Sequence, residues 1–359
     1  MITSLTLRNF KGHRDTTVRL GGFTALVGPN GSGKTSVLEA LWLQSRLVHE
    51  NRTRVLAGDW AAADFRRRGA SGSTSIGSTG SMDERDWSLQ LTLAGAPPTV
   101  TWHWKGAPSV EHAWSHELPG AAVSASLALG RASLFQLDGS RIARAAYSDD
   151  PQPEVERDGT NTAVALAAMK LGYDEAFARV EEQMRRLIPN VERVRIRQAK
   201  VQRPNPSAPH QSQDVLGNKV FFDFRGAPDV PAHAASEGTL ITLALLTVLH
   251  GPNRPNVVLL DDFDRSLHPQ AQMEFIRVIQ QLLKGEQNIQ IVATTHSPYI
   301  LDELDPSDVH VFALGDDDAV VVKRLSDHPE AEKMKGALSA GQLWSLDPER
   351  EWVPAEKEP

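Results

Sequence analysis

Eight residues near the start of the chain, Gly28-Pro29-Asn30-Gly31-Ser32-Gly33-Lys34-Thr35, have the G-x-x-x-x-G-K-T spacing of a loop that wraps phosphate. The glycines let the backbone close around phosphate oxygens and aim N–H groups at them. The helix that follows adds the favourable end of its dipole. In such a loop Lys34 reaches the β- and γ-phosphates and the Thr35 hydroxyl holds Mg²⁺, while Asn30, Gly31, Ser32, Gly33 and Ser36 complete the cradle. A carboxylate must finish the shell of the cation. The apolar run Val257-Val258-Leu259-Leu260 ends in two acids, which places Asp261 to hold Mg²⁺ through water and Asp262 to polarise an attacking water. Without the phosphate loop the same two residues would read as solvated acids after a strand. Two further residues have ordinary readings of their own. Ser236, in Ala235-Ser236-Glu237-Gly238-Thr239, is either a plain helix cap or a second anion site, and His296, in Thr294-Thr295-His296-Ser297-Pro298, is either a hydrogen-bonded structural residue or part of the site.

The elements that must position these residues follow from periodicity. Leu5 and Leu7 alternate with polar neighbours, and Phe23-Thr24-Ala25-Leu26-Val27 runs as a strand into the phosphate loop. Residues 34–49 pair Val37 with Leu41 and Leu43 with Leu47, a helical spacing. Eleven of the 13 residues in 69–81 are Gly, Ser or Thr, which predicts a flexible insertion over about 66–84. Trp87, Leu89, Leu91, Val100, Trp102 and Trp104 alternate around Gly95-Ala96-Pro97-Pro98 as antiparallel strands do. A helical stretch is expected at 160–187, a strand at Val191–Arg197 and a loop at 203–218, where Pro, Asn, Ser and Gln predominate. From 236 onward the pattern is α/β: a buried helix at 240–250, the strand 257–260, a helix with the stripe Phe275, Val278, Ile279, Leu282 and Leu283, then the strand Ile289–Ala293. No internal repeat is visible and no heptad run is long enough for a coiled coil.

This order of motifs resembles the ATP-binding cassette (ABC) ATPases, and within them the SMC-like, RecF-like and OLD-family branch of AAA family ATPases. The opening Leu5-Thr6-Leu7-Arg8-Asn9-Phe10-Lys11-Gly12-His13 looks like that branch's adenine-side strand motif, which carries nucleotide contacts onto Arg8, Asn9 and Lys11. Ser236-Glu237-Gly238-Thr239 is similar to the signature motif, carrying anion contacts onto Ser236 and Gly238. Leu260 through Pro269 resembles the Asp-Glu-x-x-x-x-Leu-His-Pro box, His296 matches the switch histidine, and Gln136 is similar to the glutamine that reaches the metal. Leu338–Trp344 and Glu351-Trp352-Val353 look like the end of small stand-alone members. The resemblance implies an α/β P-loop fold with a mixed sheet core, an antiparallel β lobe and a helical lobe. It implies ATP and Mg²⁺ as cofactors, with catalysis shared by Lys34, Asp262 and His296. Two heads would pair head-to-tail, as a homodimer or higher oligomer, so that Ser236 of one protomer meets the γ-phosphate held at Lys34 of the other. Asp262 is one methylene shorter than the family's glutamate, which implies slow turnover.

The global arithmetic sharpens this picture. At ~150 residues per domain, 359 residues would make two or three units. The site motifs at 28–35, 261–262 and 296 instead join the chain into a single ATPase head. Its expected parts are an N-terminal lobe (1–150), a helical lobe (151–235), a C-terminal part of the core (236–325) and a tail (326–359). A formal charge of −7 excludes a generally basic nucleic-acid coat but leaves a local patch open. Arg193, Arg195 and Arg197 share one strand face, either a DNA-backbone track or a charge-guarded edge; Arg66-Arg67-Arg68 is a weaker version of the same. The absence of cysteine excludes disulfides, iron–sulfur clusters and thiol nucleophiles. His103, His112 and His116 lack a zinc pattern, and Asp316-Asp317-Asp318 reads as a solvated turn. The chain start has no leader pattern, and Leu240–Leu249 is too short to span a membrane, so a cytoplasmic protein with no membrane partner is expected. With no arm and no fused nuclease-like domain, the output is expected from a separately encoded effector, possibly a nuclease, in phage defence. The alternatives are a RecF-like repair clamp on DNA, a scaffold that binds ATP with little turnover, and a transporter subunit; Arg8–His13 and Leu267-His268-Pro269 argue against the last.

Overall fold

The computed structural model describes residues 1–49, 55, 62–93, 99–105, 109–113, 127–205, 208–285 and 289–354. It divides into two compact units: residues 1–134, 255–262 and 279–359 form the first, and residues 135–254 and 263–278 the second. This differs from the four consecutive parts expected of a single head. The chain leaves the first unit twice, after residue 134 and after residue 262, and returns at 255 and at 279.

In the first unit, β1 (Ile2–Phe10), β2 (His13–Arg19), β4 (Ser75–Met82), β5 (Arg85–Thr92), β6 (Thr99–Trp104) and β7 (Val110–Ala113) form an antiparallel sheet in the order β2-β1-β4-β5-β6-β7. Leu5, Leu7, Ile76, Leu89, Leu91 and Val100 are buried at alternate positions, the pattern of a sheet with one covered face. A second sheet has the order β15-β14-β3-β13-β12-β8, from β15 (Val320–Arg324), β14 (Val309–Leu314), β3 (Phe23–Val27), β13 (Gln290–Thr294), β12 (Val257–Leu260) and β8 (Ala132–Phe135). Its members β14, β3, β13 and β12 are parallel, and every residue of β3, β12 and β13 is buried, as parallel strands covered on both faces require. Helix α1 (Lys34–His49) packs against β1 of one sheet and β12 and β13 of the other, so it is buried on nearly every side.

The Gly/Ser/Thr tract is not a flexible insertion: it supplies β4, paired on both sides, with β1 and β5. Apolar area alone does not decide its order. Ser78 is buried but donates to Gln44, whose amide donates to the Ile76 carbonyl, so the polar groups close on one another inside the core. Gly80 is required because a Cβ there would lie 2.3 Å from the Met1 carbonyl oxygen and 2.4 Å from the Trp87 ring. The start of β1 is locked elsewhere as well. Gln290 accepts from the Ile2 N–H at 2.7 Å and donates to the Ile2 carbonyl at 2.8 Å.

The second unit contains α2 (Thr162–Gly172), α3 (Asp174–Leu187), α4 (Glu237–His250) and the first part of α5 (Pro269–Gly285). It also holds a three-stranded sheet, β11-β10-β9, made from β9 (Val191–Asn205), β10 (Ala208–Phe224) and β11 (Ala227–Pro231). The loop expected at 203–218 is instead part of a long antiparallel hairpin, because pairing from Gln213↔Arg203 to Asp223↔Arg193 satisfies polar backbone without needing apolar side chains. Helix α4, assigned from sequence to the ATPase core, clusters with this unit; Thr239 through Leu249 are all buried in it. Among the described residues, no helix is long and apolar enough to cross a membrane.

Candidate nucleotide site

Strand β3 delivers the phosphate loop at its C-terminal end, and α1 begins at Lys34. Gly28, with φ +135°, lies so close to β14 that a Cβ would fall 2.3 Å from the Phe312 carbonyl oxygen. Gly33, with φ +94°, lies against Val320 and His13. Asn30 and Gly31 are exposed, and nothing crowds Gly31. Ser32 is buried, and its Oγ has no partner among the described residues. A buried hydroxyl without a partner inside a glycine-rich cradle is what an incoming phosphate oxygen would satisfy.

The Lys34 ammonium turns back over the loop and donates to the carbonyls of Gly28 (2.8 Å) and Pro29 (2.9 Å). Burial lowers its pKa, and Asp262, Asp261 and Glu349 partly offset that effect. Thr35 Oγ1 donates to Asp261 Oδ1 at 3.0 Å, which joins the loop to the end of β12. The same carboxylate oxygen accepts from Thr294 Oγ1 at 2.8 Å. Thr294 also lies 3.2 Å from Asp262 Oδ1, and its hydroxyl accepts the Asp262 N–H at 2.8 Å. Asp262 is exposed and sits at φ +47°, a left-handed conformation held in place by that bond. His296, two residues beyond Thr294, is exposed at the same edge of the sheet.

The donor set is suited to a hard cation, a carboxylate and a hydroxyl already within hydrogen-bond distance of each other. Backbone geometry sets two residues of the opening strand motif. Asn9 and Lys11 both have positive φ, and Asn9 donates to the Ser71 and Ser73 carbonyls at 3.3 and 3.2 Å. Lys11 pairs with Glu39 of α1 and sits over the Phe65 ring. Arg8 pairs with Asp15.

Other sequence candidates lie in the second unit or elsewhere in the first. Ser236 caps α4, accepting the Thr239 N–H at 3.2 Å, and is exposed. At Gly238 a Cβ would lie 2.9 Å from the Ser266 carbonyl oxygen. Gln136 follows β8, its N–H bonded to the Arg157 carbonyl. The Leu260–Pro269 box straddles the boundary between units. On β9, Arg195 pairs with Asp223 at 2.6 Å and Arg197 with Asp229, so two of the three arginines are matched by acids on β10 and β11. Asp317 pairs with Arg14, so that turn is tied down. His116 lies outside the described residues, as does the His112 side chain. Sequence reasoning missed Thr294 as an anchor, His13 and Glu349; the first two stood inside recognised motifs, the third in the tail.

Comparison with known proteins adds the lineage. The family model described as "AAA domain, putative AbiEii toxin, Type IV TA system" matches residues 23–302, well over half of the chain. The chain belongs to this AAA-domain family. Among solved structures, an Smc head bound to the C-winged helix domain of ScpA is 15% identical with a TM-score of 0.60, covering 92% of this chain and 99% of that one. The Smc head from Pyrococcus furiosus with an extended coiled coil, bound to the C-terminal domain of ScpA, is 16% identical with a TM-score of 0.56, covering 94% and 98%. The SMC head domain from Thermotoga maritima is 14% identical with a TM-score of 0.50, covering 90% and 98%. The comparison with curated proteins finds no match. The fold of this family member is the SMC-head type of P-loop ATPase fold, with mixed and antiparallel sheets plus helices.

Proposed function

We propose that the protein binds and hydrolyses ATP as a homodimeric or higher-order switch, a stand-alone OLD-type head that controls a separately encoded effector in phage defence. The observation that carries the nucleotide half is the hydrogen-bonded set Thr35–Asp261–Thr294 beside the loop-tethered Lys34. In this reading Lys34 neutralises β- and γ-phosphate charge, and the N–H groups of residues 30–36 orient the phosphates. Thr35 and Asp261 would hold Mg²⁺, which would supply charge stabilisation to the phosphates. Asp262 accepts a hydrogen bond from the attacking water, and His296 orients it. Ser236 and Gly238 of a second protomer close the site, while Arg8, Asn9 and Lys11 flank the base.

DNA sensing through Arg193, Arg195 and Arg197 is the weaker element, since Asp223 and Asp229 already engage two of the three. An ATP-binding scaffold with little turnover is the second reading. It is favoured by Asp262, whose short side chain lies within hydrogen-bond distance of Thr294. Turnover and equilibrium ATP binding, measured across protein concentration and with or without duplex DNA, separate these. The switch predicts that turnover per protein rises with concentration, that Lys34→Ala abolishes binding, and that Asp262→Asn binds ATP while losing roughly 100-fold in turnover. Wild-type turnover in Lys34→Ala would sink the proposal. Binding without turnover would favour the scaffold, and strong DNA stimulation the clamp.

A further inference from the structure

We infer that His13 is a positioning residue for the phosphate loop: its Nε2–H holds the Gly33 carbonyl, and so turns the Lys34 amide outward to receive a phosphate oxygen. The inference rests on the nucleotide-binding reading above and goes beyond the loop's own motif.

His13 opens β2 and is fully buried. Its Nε2 lies 3.1 Å from the Gly33 carbonyl oxygen. A carbonyl can only accept, so Nε2 carries the proton. In an uncharged ring Nδ1 is then a bare lone pair, and it is buried with no partner among the described residues. Burial pushes the His13 pKa down to about 4, which keeps the ring neutral near pH 7. A leucine or phenylalanine would fill the same space without stranding a nitrogen. The imidazole therefore has a purpose that packing does not supply, and its one contact of consequence is the loop.

That contact falls on a glycine of the loop. Gly33 has φ +94°, and a Cβ there would come within 2.8 Å of Val320 Cγ2 and 2.9 Å of His13 Nε2. Glycine fits the space but leaves the peptide free to rotate. In a trans peptide the carbonyl of one residue and the N–H of the next point in opposite directions. Holding the Gly33 carbonyl toward His13 therefore directs the Lys34 N–H away from it. Lys34 is the first residue of α1, so this N–H has no acceptor one turn back in the helix and is available to an anion. The prop is itself braced. Next to His13, the Gly12 carbonyl accepts the Val320 N–H at 3.1 Å, and the Val320 carbonyl accepts from Thr16 Oγ1 at 3.3 Å.

The test uses the full chain with three variants: His13→Phe keeps bulk without a donor, His13→Gln keeps a donor, and His13→Ala removes both. ATP and ADP affinities are titrated, and amide hydrogen exchange of residues 33–35 is followed in nucleotide-free protein. Loss of one oriented hydrogen bond predicts about tenfold weaker binding in His13→Phe, recovery to within about threefold in His13→Gln, and faster exchange at Lys34 in His13→Phe than in wild type. The melting temperature of nucleotide-free His13→Phe should stay close to that of wild type, because the stranded Nδ1 it removes offsets the Gly33 bond it loses; an affinity loss that only follows a fall in melting temperature would overturn positioning. Wild-type affinity in His13→Phe, unchanged exchange at residues 33–35, or an equal loss in His13→Phe and His13→Gln would overturn the role. If His13→Phe does not fold, His13→Gln and the exchange measurement decide by the same criteria. Failure of the wild-type protein to bind either nucleotide would overturn the reading under Proposed function instead.

Discussion

Thr294 decides how the two acids at the end of β12 are presented. Its hydroxyl accepts the Asp262 N–H and lies within reach of both carboxylates, so one small side chain holds a left-handed aspartate and orients the acid that meets Thr35. Thr294→Val keeps the shape and removes these bonds. It should lower ATP turnover by roughly 10–100-fold while leaving ATP affinity within about threefold, as expected when geometry changes and the phosphate contacts do not. Steady-state kinetics beside equilibrium binding checks this; equal losses in both would contradict it. The phosphate loop was legible in the sequence because its eight residues are contiguous and do their work locally. Thr294 was not. Its role comes from the parallel register in which Leu260 pairs with Ala293, which brings the next residues, Asp261 and Thr294, opposite each other. Spacing along the chain carries no trace of that pairing. Asp262 was legible as an acid in the right place, whereas its positive φ was not, since aspartate can adopt that region but its presence does not require it.

Among the elements, strands with buried apolar alternation and the helices of the α/β part were readable, and those ordered by polar groups were not. Strand β4 has one large apolar residue in its buried half, Ile76, and its remaining order comes from Ser78 on Gln44 and from pairing on both edges. The hairpin of β9 and β10 has the same character: Lys200 with Asp214 and Arg195 with Asp223 form cross-strand ion pairs where composition pointed to a loop or a free basic face. Gly80 makes the account of β4 testable. Gly80→Val introduces a side chain where the Met1 carbonyl and the Trp87 ring already stand, so it should cost about 2 kcal/mol or more in urea unfolding. Gly77→Val, whose Cβ would meet nothing closer than 3.8 Å, should cost clearly less. Similar losses at both positions would mean that the tract tolerates no bulk anywhere and that Gly80 has no special part.

For the whole molecule, stability and assembly depend on distant parts of the chain meeting. His310 on β14 is buried, and its Nε2 donates to the Arg19 carbonyl at 2.7 Å beside the end of β2. Burial lowers its pKa to about 4, against 6.5 in an unfolded chain. Between those values the unfolded state binds more protons, so the contribution is complete above pH 6.5 and is lost as pH falls toward 4. Urea unfolding at pH 7 and pH 5 should show roughly 2 kcal/mol of this loss from His310, and His310→Gln should shrink the pH difference by that amount. An unchanged difference in the variant would place the pH sensitivity elsewhere. The clasp between Ile2 and Gln290 has a consequence for synthesis. At roughly 5–20 residues per second, roughly 10–50 s separate the emergence of the phosphate loop from that of Asp261, Gln290 and Thr294. Throughout that interval the nascent chain carries half of a nucleotide pocket and the sticky edge of an unfinished sheet. A growing ribosomal product of this kind is a natural client for chaperones until those residues have emerged.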